Sequence, residues 1–501
     1  MDVDTVLSAL AALAGSPRLM GLLLLAIPIG MFFGAVPGLG GKIGVVLLIP
    51  FVFGMDPVAG SVFLLAMHAV VHTGGSIPSI LFGVPGTGPD AATVIDGFPM
   101  AQQGRAGRAL GASLGASGLG GVVGALFLAL MLPVLGPVVL SFSPAEFFLL
   151  AILGITFIAT LSGDSLIKGV SVGLLGLMLA FVGADPQTGI DRYTFDLLFL
   201  SDGIDVITAV LAFFAVPEMI ALGVRGGAIS MVGRQAARYS FREVVDGMVD
   251  VFRHWGLSLR TSVIGAVVGM IPGLGGDAAS WICYGHAVQS SKTPERFGKG
   301  AVEGVIAPET ANNSKEGGSL LPTLFFGVPG SLGMAILLGA FVMLGVKPGP
   351  TLMLTGLDMV WIFIWTLVLA NVIAVAIFLL CAPWFGLLSF VRGGLLIPFV
   401  LLLAMLGSYL GHGAWENLVL LAGLGTLGYF LRRYGWPRPP FVIGLVLGPI
   451  AENSLHKALA IWGPTFFLRP LSLLFIALIV ASVAFYVVRG RRTKRSLLYD
   501  F

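Results

Sequence analysis

Charge is what this sequence has least of. Asp, Glu, Lys and Arg make up 11% of its 501 residues and hydrophobic residues 57%, whereas soluble domains carry roughly 25% charged residues. Too little polar surface remains to cover a water-soluble globule, so the chain reads as a polytopic membrane protein. Cysteine is scarce as well. Cys283 and Cys381 both lie within apolar stretches, which indicates neither a disulfide framework nor a cysteine-based metal site. The net charge of +3 gives no sign of a nucleic-acid partner. The N-terminus lacks the positive charge of a cleaved signal and carries Asp2 and Asp4 instead, so the first segment is expected to be retained.

What is present is a succession of apolar windows of membrane-crossing length. They are continuous rather than alternating, which excludes a β-barrel and leaves an all-α polytopic membrane protein of about ten to twelve transmembrane helices.

The chain is also written twice. GAVPGLGGKIG at Gly34 and GGSIPSILFGVPG ending at Gly86 return as GMIPGLGG from Gly269 and GGSLLPTLFFGVPG from Gly317 to Gly330. Pro272 lies 235 residues after Pro37, while Pro322 and Pro329 lie 244 residues after Pro78 and Pro85. The second copy therefore carries nine more residues between its motifs. A period this long excludes a solenoid and points to two homologous halves of one membrane protein.

The organisation follows: residues 1–224 as the first half, 225–260 as a connector, 261–488 as the second half with additional C-terminal helices, and 489–501 as a basic tail. The connector holds Arg225, Arg234, Arg238, Arg242, Arg253 and Arg260, and the tail reads RGRRTKRS, so both are expected on the cytoplasmic side. With the acidic N-terminus outside, the first half crosses an odd number of times and the halves are inverted. Phe241, Val244, Val245, Met248, Phe252 and Trp255 recur at helical spacing, which suits either an amphipathic helix on the membrane surface or a short soluble helix packed on the cytoplasmic face.

In a bilayer, GAVPGLGG breaks a helix: Pro37 removes an N–H, and the glycines remove the side chains that would hold the turns together. Unpaired backbone at membrane depth costs several kcal/mol per group unless it is buried or lines a polar cavity. Exposed carbonyls suit a cation and half-helix N-termini an anion. A single such motif is more simply a packing face or a kink, but the paired recurrence favours a binding site. Its candidates are Pro37, Gly38, Gly40 and Gly41 in the first break, and Pro272, Gly273, Gly275 and Gly276 in the second. The GGS and GVPG segments, each two short apolar runs around turns, read as re-entrant hairpins. They add Gly75, Ser76, Pro85, Gly86 and Thr87, and then Gly318, Ser319, Pro329, Gly330 and Ser331.

Before the second hairpin, Glu309, Asn312, Asn313, Lys315 and Glu316 crowd together. Asn312 and Asn313 suit a hard cation or a carboxylate-bearing ligand, but so dense a polar cluster is also what an aqueous loop looks like. Lys42 and Asp277 flank the breaks, either as intramembrane charges or as residues just outside the core. His68 and His72 are four apart without a completing carboxylate at HExxH spacing, so a structural or pathway-lining role outweighs metal binding. GASLG, from Gly111 to Gly115, matches GxSxG but continues as a small-residue helix with no strand before it, and close helix packing accounts for it better than a nucleophile. Ile43 after Gly41 and Lys42 stands where a phosphate loop needs Ser or Thr.

With both motif pairs in view, the chain closely resembles the large membrane subunit of the tripartite tricarboxylate transporter family. The resemblance rests on PGLGGKIGVVLLIPFVFGMDP, GGSIPSILFGVPGTGPDAATVIDGFPMAQQGRAG, GMIPGLGG and TPERFGKGAVEGVIAPETANNSKEGGSLLPTLFFGVPGS, and spans nearly the whole chain. It implies a secondary transporter of the bacterial inner membrane, importing a di- or tricarboxylate or a related organic acid by cation symport, with sodium as the coupling ion and no other cofactor. It also implies a small four-helix membrane subunit and a soluble periplasmic binding protein as partners, with a homodimer among the assemblies allowed. The family usually has small or aromatic residues where this chain has His68 and His72. The alternative is an intramembrane enzyme acting on a lipid or prenyl substrate; for it the sequence offers one DxxD, Asp202 and Asp205, with no second acidic motif.

Overall fold

Apolar runs that cannot hydrogen-bond to lipid satisfy their backbone groups as helices, and a computed structural model of the chain is helical over most of its described residues. The structure describes residues 3–36, 40–156, 165–185, 187–225, 240–271, 275–388, 393–412 and 414–481. Among them the strand content is one antiparallel pair, Gly183–Ala184 with Asp191–Arg192.

The first half opens with α1 (Val3–Gly15), α2 (Pro17–Ala35), α3 (Gly40–Val52), α4 (Pro57–Phe82), α5 (Ala91–Gln102) and α6 (Ala106–Ser141). It continues through α7 (Pro144–Thr156), α8 (Leu166–Ala180), α9 (Val206–Val210), a π-helical turn at Leu211–Ala215 and α10 (Val216–Arg225). The second half repeats the opening as α11 (Phe241–Arg253), α12 (Trp255–Gly269), α13 (Gly275–Ser290), α14 (Glu303–Phe326), α15 (Leu332–Met343), the short α16 (Pro350–Thr355) and α17 (Leu357–Leu388). After it come α18 (Gly393–His412), α19 (Glu416–Arg433) and α20 (Pro439–Trp462).

Local chemistry sets these boundaries. Ser16 and Asp56 cap α2 and α4, accepting from Leu19 N at 3.3 Å and Ala59 N at 2.9 Å, each followed by a proline in the first turn. α4 and α14 both end on a left-handed glycine, Gly83 at φ 67° and Gly327 at φ 66°, a backbone that glycine adopts without strain.

The duplication holds to the residue. A Cβ on Gly34 would lie 1.9 Å from the Val71 carbonyl oxygen, and one on Gly269 would lie 2.4 Å from that of Lys315. Gly74 meets the Met31 carbonyl as Gly318 meets that of Ala266, and Gly86 meets Gly34 as Gly330 meets Gly269. Every one of these pairs obeys the offsets of 235 and 244. The halves also clasp each other reciprocally: α6 packs on α14 and α17 on α4, while α11 packs on α6 and α1 on α17. α11, expected within the connector, thus takes the place that α1 has in the first half. Gly247 on α11 and Gly111 on α6 let the two backbones meet, and Asp250 binds Arg108 at 2.5 and 3.0 Å. The helix is packed on the protein, with Phe241 and Phe252 left exposed.

One expectation changes. The GGS segments are not hairpins of short runs: Gly74 to Phe82 and Gly318 to Phe326 are the last turns of long, buried helices, and the chain turns only after Gly83 and Gly327. Glycine and proline break helices in water, but here neighbouring helices bury the segment on every side and leave the backbone no other partner. Among the described residues, four helices are long and apolar enough to cross a membrane, beginning at Pro17, Pro57, Ala106 and Leu357, with a fifth if Ile443–Leu468 and Pro470–Ala481, bent by 69°, form one broken span. Other apolar windows fall on helices of 10–17 residues. Proline interrupts several of these apolar stretches, as at Pro50 in α3 and Pro398 in α18. The expected broken helices are present as helix ends, at Ala35 and Gly40 and at Gly269 and Gly275.

Candidate functional site

The site is built on α4 and α14, the two helices that carry the repeated motif. Helical spacing places His68 and His72 on one face of α4, and Glu309, Asn312, Asn313 and Glu316 along one face of α14. All six are at most 5% exposed, and Lys315 is 3% exposed. The 244-residue offset makes Asn312 the counterpart of His68 and Glu316 that of His72. The corresponding residues His72 and Glu316 meet across a polar seam, with His68 also beside Glu316 and Asn312 beside Asp90. The dense polar cluster is helical and buried, not an aqueous loop.

Glu316 forms the centre of the seam. Its Oε1 accepts from Lys315 Nζ at 2.5 Å and lies 3.2 Å from His72 Nε2. Its Oε2 lies 3.2 Å from His68 Nε2, at ion-pair distance but not aligned as a hydrogen bond. His72 Nδ1 reaches Thr87 Oγ1 at 3.1 Å, and the same hydroxyl donates to Asp90 Oδ2 at 2.6 Å. The Thr87 N–H donates to Asp90 Oδ2 at 2.9 Å and Asn312 Nδ2 to Asp90 Oδ1 at 3.0 Å. Asn313 Nδ2 donates to Thr73 Oγ1 at 3.1 Å and to Asn371 Oδ1 at 2.8 Å, drawing in α17.

Two further carboxylates stitch α5 to the second half. Asp96 accepts from the N–H groups of Gly300 and Ala301 at 2.9 and 2.8 Å and from the Tyr284 hydroxyl at 2.9 Å. Glu309 accepts from Thr93 Oγ1 at 2.6 Å and Ser117 Oγ at 3.1 Å.

Several buried atoms in the seam have no hydrogen-bond partner: Asn312 Oδ1, Asn313 Oδ1 and His68 Nδ1. Leaving a buried polar group unpaired costs about 1–3 kcal/mol. Amide oxygens and an imidazole in that condition suit a polar ligand. Among the described residues no group of three or more His, Cys, Asp and Glu side chains is arranged to hold a metal ion.

The residues anticipated from sequence divide by role. Thr87, Asn312 and Asn313 are in the seam. Gly75, Gly86, Gly318 and Gly330 are points of close approach; a Cβ on Gly75 would lie 2.0 Å from Asp90 Oδ2. Ser76 Oγ donates to the Thr73 carbonyl at 2.9 Å, Ser319 Oγ to the Gly269 carbonyl at 3.0 Å, and Ser331 caps α15 through Met334 N at 3.2 Å. Pro85 and Pro329 lie in the short segments after α4 and α14, and Gly40, Gly41, Gly275 and Gly276 open α3 and α13. Pro37, Gly38, Pro272 and Gly273 lie outside the described residues, as do the side chains of Lys42 and Asp277.

Sequence reasoning missed Asp90, Ser117 and Asn371, noted Thr93 only as a small polar group of the first motif, and undervalued Glu309, His68 and His72. The 244-residue register makes His68 and His72 the equivalents of Asn312 and Glu316, a signal that both helices carry polar residues at the same repeat positions. Nothing in the apolar run around Asn371 or the small-residue run around Ser117 signals their place.

The chain matches the Tripartite tricarboxylate transporter TctA family over residues 20–443, from α2 to α20. It is 31% identical over 485 residues to an uncharacterized 52.8 kDa protein in the TAR-I ttuC' 3' region of Agrobacterium vitis, covering 94% of this chain and 93% of that protein. An uncharacterized protein in the TAR-II ttuC' 3' region of the same organism is 31% identical over 239 residues, 47% of this chain and 98% of its own length. No solved structure matches. A duplicated, all-helical membrane fold with a buried polar seam between its halves, matched across most of its length, belongs to the tripartite tricarboxylate transporter TctA family.

Proposed function

We propose that this chain is the large membrane subunit of a binding-protein-dependent secondary transporter that imports an organic carboxylate with a cation, sodium, by alternating access. The observation that supports this most is the seam itself: His68, His72, Asn312, Asn313, Lys315 and Glu316, buried where corresponding helices of the two halves meet. Carriers of this kind bind substrate at a repeat interface near the midplane. Lys315 and the two histidines supply the cationic and donor groups that the glycine motifs lack, and a substrate carboxylate would compete with Glu316 for them. The helix ends that flank the glycine motifs, at Ala35 and Gly40 and at Gly269 and Gly275, would add backbone groups to the same site.

The remaining parts of the reading are the inverted relation of the halves, a cytoplasmic C-terminus and residence in the bacterial inner membrane. A small four-helix membrane subunit and a periplasmic binding protein complete the complex. The test is uptake of a panel of radiolabelled carboxylates into proteoliposomes holding all three proteins. Sodium-dependent accumulation that needs the binding protein is the expected result. No accumulation of any acid by a folded, assembled complex would count against the carrier reading.

A further inference from the structure

One buried carboxylate differs from the others. Glu316 has Lys315 and two histidines beside it, and Asp96 has two backbone N–H groups. Glu309 is fully buried, and the hydrogen bonds to it among the described residues come from hydroxyls, those of Thr93 and Ser117, with Ser113 beside them. An ionised carboxylate in a low-dielectric interior is unfavourable by several kcal/mol unless a cation compensates it. Hydroxyls orient toward its charge but do not cancel it.

The surroundings suit a small hard cation. Thr93 Oγ1 and Ser117 Oγ touch the two carboxylate oxygens at 2.6 and 3.1 Å. Ser113, one turn before Ser117 on α6, stands beside the same carboxyl, is 1% exposed, and leaves its Oγ without a hydrogen-bond partner. Each hydroxyl keeps lone pairs after donating, so these four side chains together offer one carboxylate and three neutral oxygens. That donor set is the kind that hard cations take. One carboxylate balances one positive charge.

Resting on the carrier reading, we propose that Glu309 with Thr93, Ser113 and Ser117 forms a sodium site, one helical turn along α14 from Asn312 and Asn313. Its ligands come from both halves: Glu309 from α14, Thr93 from α5, and Ser113 and Ser117 from α6. Small residues allow the approach, since Gly120 on α6 meets the Thr310 carbonyl of α14. Bound sodium would clamp α5 and α6 to α14 and complete the seam for substrate. The GASLG stretch thereby gains a use, because its serine is a ligand and not a nucleophile.

The test is the thermal stability of the purified membrane complex as sodium chloride replaces choline chloride, since a ligand that binds the folded state raises its melting temperature. Sodium should stabilise the wild-type protein, and Glu309→Gln should lose that response. Should Glu309→Gln fold poorly, Thr93→Val and Ser117→Ala decide, because they keep the carboxylate. Each should raise the half-saturating sodium concentration by about tenfold or more, the loss usual when a group supporting a bound cation is removed. An unchanged sodium response in these variants would overturn the site. So would a wild-type protein stabilised by acid and indifferent to sodium, which would make Glu309 a proton carrier. Because this reads binding, the site can fail while uptake stands, and uptake can fail while sodium binding stands.

Discussion

α4 and α14 are the same helix written twice, and they differ in a particular way. Their glycines are interchangeable: Gly34 on Val71 and Gly269 on Lys315, Gly74 on Met31 and Gly318 on Ala266 make the same backbone contacts in each half. Their polar residues are not. α4 brings His68 and His72 where α14 brings Asn312 and Glu316, and α14 adds Glu309, Asn313 and Lys315 at positions that are apolar in α4. Backbone-to-backbone contact leaves room only for glycine, so the scaffold resists change after duplication. Side chains that face the seam are free to diverge, and the asymmetry between the two helices is where a carrier acquires its ligand. Glycine motifs build the site, and the residues between them give it chemistry.

The largest effect expected from breaking this arrangement is at Glu316. Glu316→Ala leaves Lys315 buried without its partner and should destabilise the protein by about 3–5 kcal/mol. Lys315→Met with Glu316→Leu should recover most of that loss in thermal unfolding yet transport nothing. Next come the scaffold glycines. Gly34→Ala and Gly269→Ala each force a methyl group onto a carbonyl oxygen and should cost about 2–3 kcal/mol, to a similar extent in the two halves; a harmless Gly269→Ala beside a damaging Gly34→Ala would break the equivalence. Smaller is Asn312→Ala, which removes the amide donor from Asp90 and should cost about 1–2 kcal/mol while reducing uptake far more than stability. Smallest is Ser79→Ala, whose hydroxyl donates to the Gly75 carbonyl of its own helix at 2.9 Å; a change within about 0.5 kcal/mol is expected, read by thermal melting.

Much of this was legible in the chain. The repeat, its two offsets and the helix ends near Gly40 and Gly275 all follow from Pro37, Pro272 and the glycines around them. The course of GGSIPSILF was not, because the propensities of Gly74, Gly75 and Pro78 describe a peptide in water, and here they act inside a packed bundle. The polar run from Glu309 to Glu316 was ambiguous for a different reason: an aqueous loop and a buried site have the same composition, and only burial separates them. Asn371 and Ser117 are single polar residues in apolar or small-residue helices, and their importance comes from what the fold sets opposite them.

The most direct measurement is carboxylate uptake by the reconstituted three-protein complex, comparing Asn312→Ala with Ser76→Ala, each at equal folded protein. If the seam carries transport and the motif serines only support the helix, Asn312→Ala should lose at least about tenfold, equivalent to 1.4 kcal/mol, and Ser76→Ala should stay within about twofold of wild type. The reverse order, with Asn312→Ala transporting normally and Ser76→Ala inactive, would move the site from the seam to the motif and contradict the division of roles.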